Sequence, residues 1–122
     1  MDDSLPHGGL GSVTPVCRLD EVPDGGTHAL TVEGSQGPRD IFLHRAGTTV
    51  RAFENACPHL GTPLDWAPGR FLSEDGTHFV CATHGARFRL EDGICVFGPC
   101  VNDGLATVPA EVRGGAVFLA LD

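Results

Sequence analysis

Two short stretches carry residue types able to do chemistry at a useful spacing. They are Cys57-Pro58-His59 and Cys81-Ala82-Thr83-His84. Each offers one thiolate and one imidazole, the donors that hold zinc, copper or iron–sulfur clusters. In both halves the Cys comes first and the His second. The repeat predicts two short loops closing over one centre from opposite sides, with Cys57, His59, Cys81 and His84 as candidate metal and cofactor ligands. The other histidines, His7, His28, His44 and His78, have no Cys at ligand spacing and read as surface or cross-strand packing residues.

A Cys2His2 set also satisfies tetrahedral zinc. Zinc fingers, however, pair Cys with Cys and His with His and add a recognition helix, and no helical periodicity occurs here. A zinc-binding interaction module is the weaker alternative.

The run Cys57-Pro58-His59-Leu60-Gly61, with Cys81-x-x-His84-Gly85 downstream, resembles the Rieske-type [2Fe–2S] proteins. Gly98-Pro99 matches the Gly-Pro loop that the family carries after its second ligand loop. The resemblance spans roughly residues 12 to 121. It implies one [2Fe–2S] cluster, with Cys57 and Cys81 on one iron and His59 and His84 on the other. Replacing two anionic thiolates by neutral imidazoles makes the core less negative, so an added electron costs less. Rieske potentials accordingly lie a few tenths of a volt above those of all-Cys ferredoxins. The family places its two His at the solvent-facing iron, which implies electron passage through that tip and gives Leu60 the choice between shielding the tip and plain loop packing.

Departures from the high-potential members are informative. Those members join a Cys after the first His to a Cys before the second; Thr62 and Thr83 stand there instead. Ser and Tyr hydroxyls near their cluster are replaced by Ala86 and Phe88. Fewer donors to the cluster sulfurs favour the oxidised state. The resemblance is therefore to the low-potential branch, the Rieske ferredoxins and related small subunits.

The elements that must position these loops read as short strands. Seventeen Gly and nine Pro punctuate the 122 residues every few positions. Strands are predicted over residues 13–19, 27–33, 40–45 and 48–54, with a turn over 34–38. A hairpin is predicted between 71–73 and 77–81 across Glu74-Asp75-Gly76. Strands over 87–90 and 94–97 follow, the first with Phe88 and Leu90 on one face and both arginines on the other. The last two strands are expected over 106–112 and 116–121, joined at Gly114-Gly115. Pro63 and Trp66 are expected to pack the base of the loops, and Asp65 either bonds loop backbone or stays exposed.

The predicted fold is all-β: a small antiparallel β-sandwich or barrel. The family resemblance adds an inserted cluster-binding subdomain over approximately residues 55–100. Residues 1–11 read as a flexible N-terminal tail and 12–122 as a single domain.

A net charge of −8, from sixteen acidic and eight basic residues, leaves no basic run for nucleic acid and suits a basic redox partner. No apolar run approaches a membrane span, and the acidic start lacks a signal-peptide core, so the expected location is cytoplasmic. Five Cys in that compartment read as ligands or small buried residues before disulfides. Cys17 reads as core. Cys95 and Cys100 flank Gly98-Pro99; Cys95 reads as a small core residue, and a bridge to Cys100 stays open.

No catalytic triad, phosphate loop or spare His-carboxylate set is present, so an enzyme acting alone is not expected. The resemblance implies a one-electron carrier, its partners being a flavin-containing reductase as donor and an oxygenase or other redox enzyme as acceptor. The expected state is a monomer. The alternative is a small Rieske-like subunit of a multi-subunit reductase such as nitrite reductase.

Overall fold

The structure, a computed structural model, describes residues 15–34, 37–58, 61–65, 67, 69–81 and 85–120. Among them the chain is all-β, with ten strands and one 3-10 turn, Leu19–Glu21. In chain order the strands are β1 Cys17–Arg18, β2 Thr27–Gly34, β3 Gly37–Ala46, β4 Thr49–Glu54, β5 His78–Val80, β6 Arg87–Arg89, β7 Cys95–Phe97, β8 Thr107–Val108, β9 Ala110–Arg113 and β10 Ala116–Leu119. They form three antiparallel sheets, ordered β1-β10-β9, β2-β3-β4-β8 and β5-β6-β7. The third sheet is built wholly from chain that lies between β4 and β8. No helix among the described residues is long and apolar enough to cross a membrane.

The central strand β3 is buried on both faces. Ile41 and Leu43 point one way, into an apolar cluster with Val50, Ala52, Val108, Val117 and Leu119, which seals the first sheet onto the second. Phe42 points the other way, into a second cluster that reaches the third sheet. A period of two therefore puts every second side chain of one strand into a different core. Phe42 lies opposite Phe53 of β4. Phe42 stacks on Phe71 at 4.3 Å between ring centroids and meets Phe79 edge-on at 5.0 Å, and Phe79 also meets Phe53 at 5.3 Å. These rings join the sandwich to the sheet that carries the cysteines.

Several boundaries differ from the sequence reading. The turn expected over 34–38 is shorter, because β2 runs through Gly34 and β3 begins at Gly37. The first strand is cut to Cys17–Arg18, since the chain tightens into the 3-10 turn, closed by the Val22 N–H on the Leu19 carbonyl at 3.0 Å. The single strand expected over 106–112 is two strands in two sheets: β8 pairs with β4 and β9 with β10. Pro109 stands at the changeover, where a residue without an N–H cannot continue a ladder. The 71–81 hairpin forms as expected, with Leu72 opposite Phe79 and the Ser73 N–H on the His78 carbonyl at 2.8 Å. At its turn, hydrogen bonds from Ser73 and Thr77 hold the Asp75 carboxyl down to about 2. The N-terminal tail over 1–11 lies outside the described residues.

Candidate metal centre

Cys57 follows β4 and Cys81 follows β5, and the two are presented by the same backbone device. The Cys57 N–H donates to the Thr62 carbonyl at 2.7 Å, and the Cys81 N–H donates to the Ala86 carbonyl at 2.8 Å. Four residues after each Cys, a glycine N–H returns to the Cys carbonyl: Gly61 at 2.6 Å and Gly85 at 2.9 Å. Each glycine has positive φ, +75° and +68°, a conformation that side chains with a Cβ rarely adopt. Two copies of one tight turn thus open on a cysteine. Neither cysteine is in a disulfide, both are almost wholly buried, and they share the apolar cluster with Leu64, Phe79, Ala86 and Phe88.

The candidate ligands His59 and His84 lie outside the described residues, as do Leu60, Trp66 and Thr83. Each His falls inside one of the two matching turns by sequence, between Cys57 and Gly61 and between Cys81 and Gly85. The two thiols, desolvated and unbridged at equivalent positions of equivalent loops, fit the thiolate half of a [2Fe–2S] ligand set. Among the described residues, no three His, Cys, Asp or Glu side chains gather as a metal-holding group.

The entry to the first loop is fastened by Asn55, a residue to which the sequence reading gave no role. Its Oδ1 accepts the Leu64 N–H at 2.7 Å, and its Nδ2 donates to Asp65 Oδ1 at 3.3 Å. Asp65 also accepts the Gly69 N–H at 3.3 Å, so of its two sequence readings the loop-bonding one is realised. Gly98 packs on the second loop: a Cβ placed on it would stand 2.9 Å from the Ala86 Cα.

The remaining cysteines divide. Cys17 is half-buried at the edge of the sandwich core. Cys95 and Cys100 are buried together, with the Cys100 thiol donating to the Cys95 sulfur at 3.0 Å. Burial, this hydrogen bond, and the charges of Cys95 and Cys57 push the Cys100 thiol up to about 12. The large apolar side chains found exposed among the described residues, Val96, Phe97 and Val101, all belong to this same turn. His44 is buried, its ring edge-on to Phe79 at 5.5 Å, so packing accounts for it.

The pattern that defines the Rieske [2Fe-2S] domain matches residues 12–110. Among solved structures, the chain is similar to the ferredoxin of carbazole 1,9a-dioxygenase from Nocardioides aromaticivorans IC177, with 25% identity and a TM-score of 0.70, over 89% of this chain and 97% of that one. A ferredoxin–oxygenase complex of carbazole 1,9a-dioxygenase matches at 24% identity and a TM-score of 0.68, over 88% of this chain and 91% of that one. A reduced complex of the same system matches at 20% identity and a TM-score of 0.69, over 88% of this chain and 28% of a longer chain. No curated protein matches. The matching turns at Cys57 and Cys81, the Gly98 loop packed on the second of them, and the matched domain pattern agree: the chain belongs to the Rieske [2Fe-2S] domain family, whose cofactor is one Rieske-type [2Fe–2S] cluster.

Proposed function

We propose that the chain is a one-electron carrier that takes electrons from a flavin-containing reductase and delivers them to an oxygenase. Cys57, His59, Cys81 and His84 hold the cluster in this reading, within a cluster-binding subdomain over approximately residues 55–100. When bound, the cluster supplies a one-electron redox couple. The observation that carries the reading is the pair of matching turns that bury Cys57 and Cys81 in one apolar cluster. The similarity to a dioxygenase ferredoxin over nearly its whole length supports an oxygenase as acceptor.

The chain's own residues have distinct tasks here. The apolar cluster around Cys57 and Cys81 keeps water from the thiolates, and the Asn55 and Gly98 contacts hold the two loops in place. Val96, Phe97 and Val101 offer an apolar contact for the partner beside the second loop, within a surface whose sixteen acids outnumber eight bases. Such a surface favours a basic partner and association that weakens with salt.

Anaerobic mixing tests this. The reduced protein, mixed with a ring-hydroxylating oxygenase component, is expected to reoxidise in step with oxygenase reduction, more slowly at high salt. Absence of transfer to any such component, together with isolation only as a fixed subunit of a reductase, contradicts the proposal.

A further inference from the structure

Outside the candidate ligands, the chain brings two more thiols together. Cys95 Sγ and Cys100 Sγ are 3.0 Å apart, and both residues are buried. A disulfide needs about 2 Å, so one sulfur has to move by only about 1 Å. The Cys95 thiol also donates to the Phe97 carbonyl at 3.3 Å, and backbone hydrogen bonds frame the pair. The Cys95 N–H donates to the Asp103 carbonyl at 2.7 Å, the Asn102 N–H donates to the Cys95 carbonyl at 3.2 Å, and the Asp103 N–H donates to the Cys100 carbonyl at 2.9 Å. Asn102 takes φ +79°, a left-handed conformation rare outside glycine, to close this turn. On the far side, Cys95 pairs with Phe88 of β6. The frame thus aims two thiols at each other across a loop of six residues, where closure costs little chain entropy.

We propose that Cys95 and Cys100 form a dithiol–disulfide couple, closed by exchange with a small-molecule disulfide. In the first step the turn opens to solvent, and one cysteine sulfur, its proton then lost to water, attacks a sulfur of the small disulfide. A protein–small-molecule mixed disulfide forms and one small thiol leaves. In the second step the other cysteine sulfur, also giving up its proton, attacks the protein sulfur of that mixed disulfide. The Cys95–Cys100 bond forms and the second small thiol leaves. Two electrons pass from the protein, which is oxidised, to the small disulfide, which is reduced to two thiols. The bond ties the ends of the turn that carries Val96, Phe97 and Gly98, the residue packed against Ala86. It uses neither candidate ligand cysteine and does not depend on which partner the protein serves.

Peptide mapping of the cluster-loaded protein tests the couple. The protein is equilibrated anaerobically in reduced and oxidised glutathione at a series of ratios, quenched in acid, and alkylated. Cleavage after Phe97 then separates Cys95 from Cys100 unless a disulfide joins them. The expected result is a linked pair of peptides, lighter by two hydrogens than the sum of the free ones, rising from none in reducing buffer to the majority in oxidising buffer. The visible spectrum is expected to stay unchanged as the pair closes. In Cys95→Ser and in Cys100→Ser the linked pair is expected to be absent. Full alkylation of Cys95 and Cys100 at every glutathione ratio overturns the proposal, and so does a linked peptide joining Cys100 to Cys57.

Discussion

Gly98 stands so close to Ala86 that a Cβ added to it would lie 2.9 Å from the Ala86 Cα and 3.1 Å from its Cβ. The contact is backbone against backbone, and Gly98 also adopts φ +108°. Neither feature tolerates a larger residue. Gly98→Ala is therefore expected to push the Gly-Pro loop off the second ligand loop and to cost about 1–3 kcal/mol. Urea unfolding midpoints check the stability, and the rate of colour loss checks the hold on the cluster. A variant as stable as the parent shows that the two loops separate freely.

Asn55 ties the two ends of the first ligand loop through the Leu64 N–H and Asp65. Asn55→Leu removes the acceptor and leaves the Leu64 N–H unpaired beside a fully buried side chain, at a cost of about 1–3 kcal/mol. Asn55→Asp keeps an acceptor at that place and is expected to lose less. Equal losses in the two variants, measured by urea unfolding at pH 7, contradict the assigned role.

His44 gives stability a pH dependence. Its Nδ1 is buried with no hydrogen-bond partner among the described residues, and burial first, then the Arg51 charge, lowers its pKa. The native state thus binds a proton less readily than the unfolded chain, whose His titrates near 6.5. The contribution is complete above that value and is lost as pH falls from it through the lower native pKa. Stability is expected to decline below about pH 6.5, and His44→Leu, which replaces the titrating ring packed on Phe79 by an apolar side chain, is expected to flatten that slope. Unfolding curves between neutral and mildly acid pH decide it; an unchanged slope in the variant assigns the effect to another group.

Ala86 and Phe88 are both fully buried, and the family resemblance matches them to the hydroxyl-bearing positions of high-potential members. Without those donors the midpoint is expected near the lower end of the Rieske range, about −150 mV. The pair Ala86→Ser with Phe88→Tyr is expected to raise it, since each hydrogen bond to a cluster sulfur stabilises the reduced state. Protein-film voltammetry reads both values. A parent midpoint well above that end of the range shows that backbone donors or burial govern the potential.

The paired Cys-His motif stands out in the sequence because ligand chemistry constrains residue type and order more tightly than packing constrains either. Spacing concealed one part of it. The His is two residues after Cys57 but three after Cys81, which hides that Gly61 and Gly85 are both four residues after their Cys and close the same turn. Most strands were legible from alternation and from Gly and Pro. The stretch through Pro109 was not, because alternation continues across a residue at which the chain changes sheets. His44 left surface and packing open, since a histidine in an alternating strand looks the same whether its face meets water or the Phe79 ring. The approach of Cys95 to Cys100 depends on the turn at Asn102, a positive φ at a non-glycine residue that composition does not announce.

The central claim is that Cys57, His59, Cys81 and His84 together hold one [2Fe–2S] cluster, and pulsed electron paramagnetic resonance of the dithionite-reduced protein tests it most directly. A rhombic signal of low average g, coupled to two imidazole nitrogens, is the predicted result, with one coupling lost in His59→Cys and the other in His84→Cys. A colourless, signal-free protein that contains zinc, or an iron–sulfur signal with no nitrogen coupling, contradicts the account.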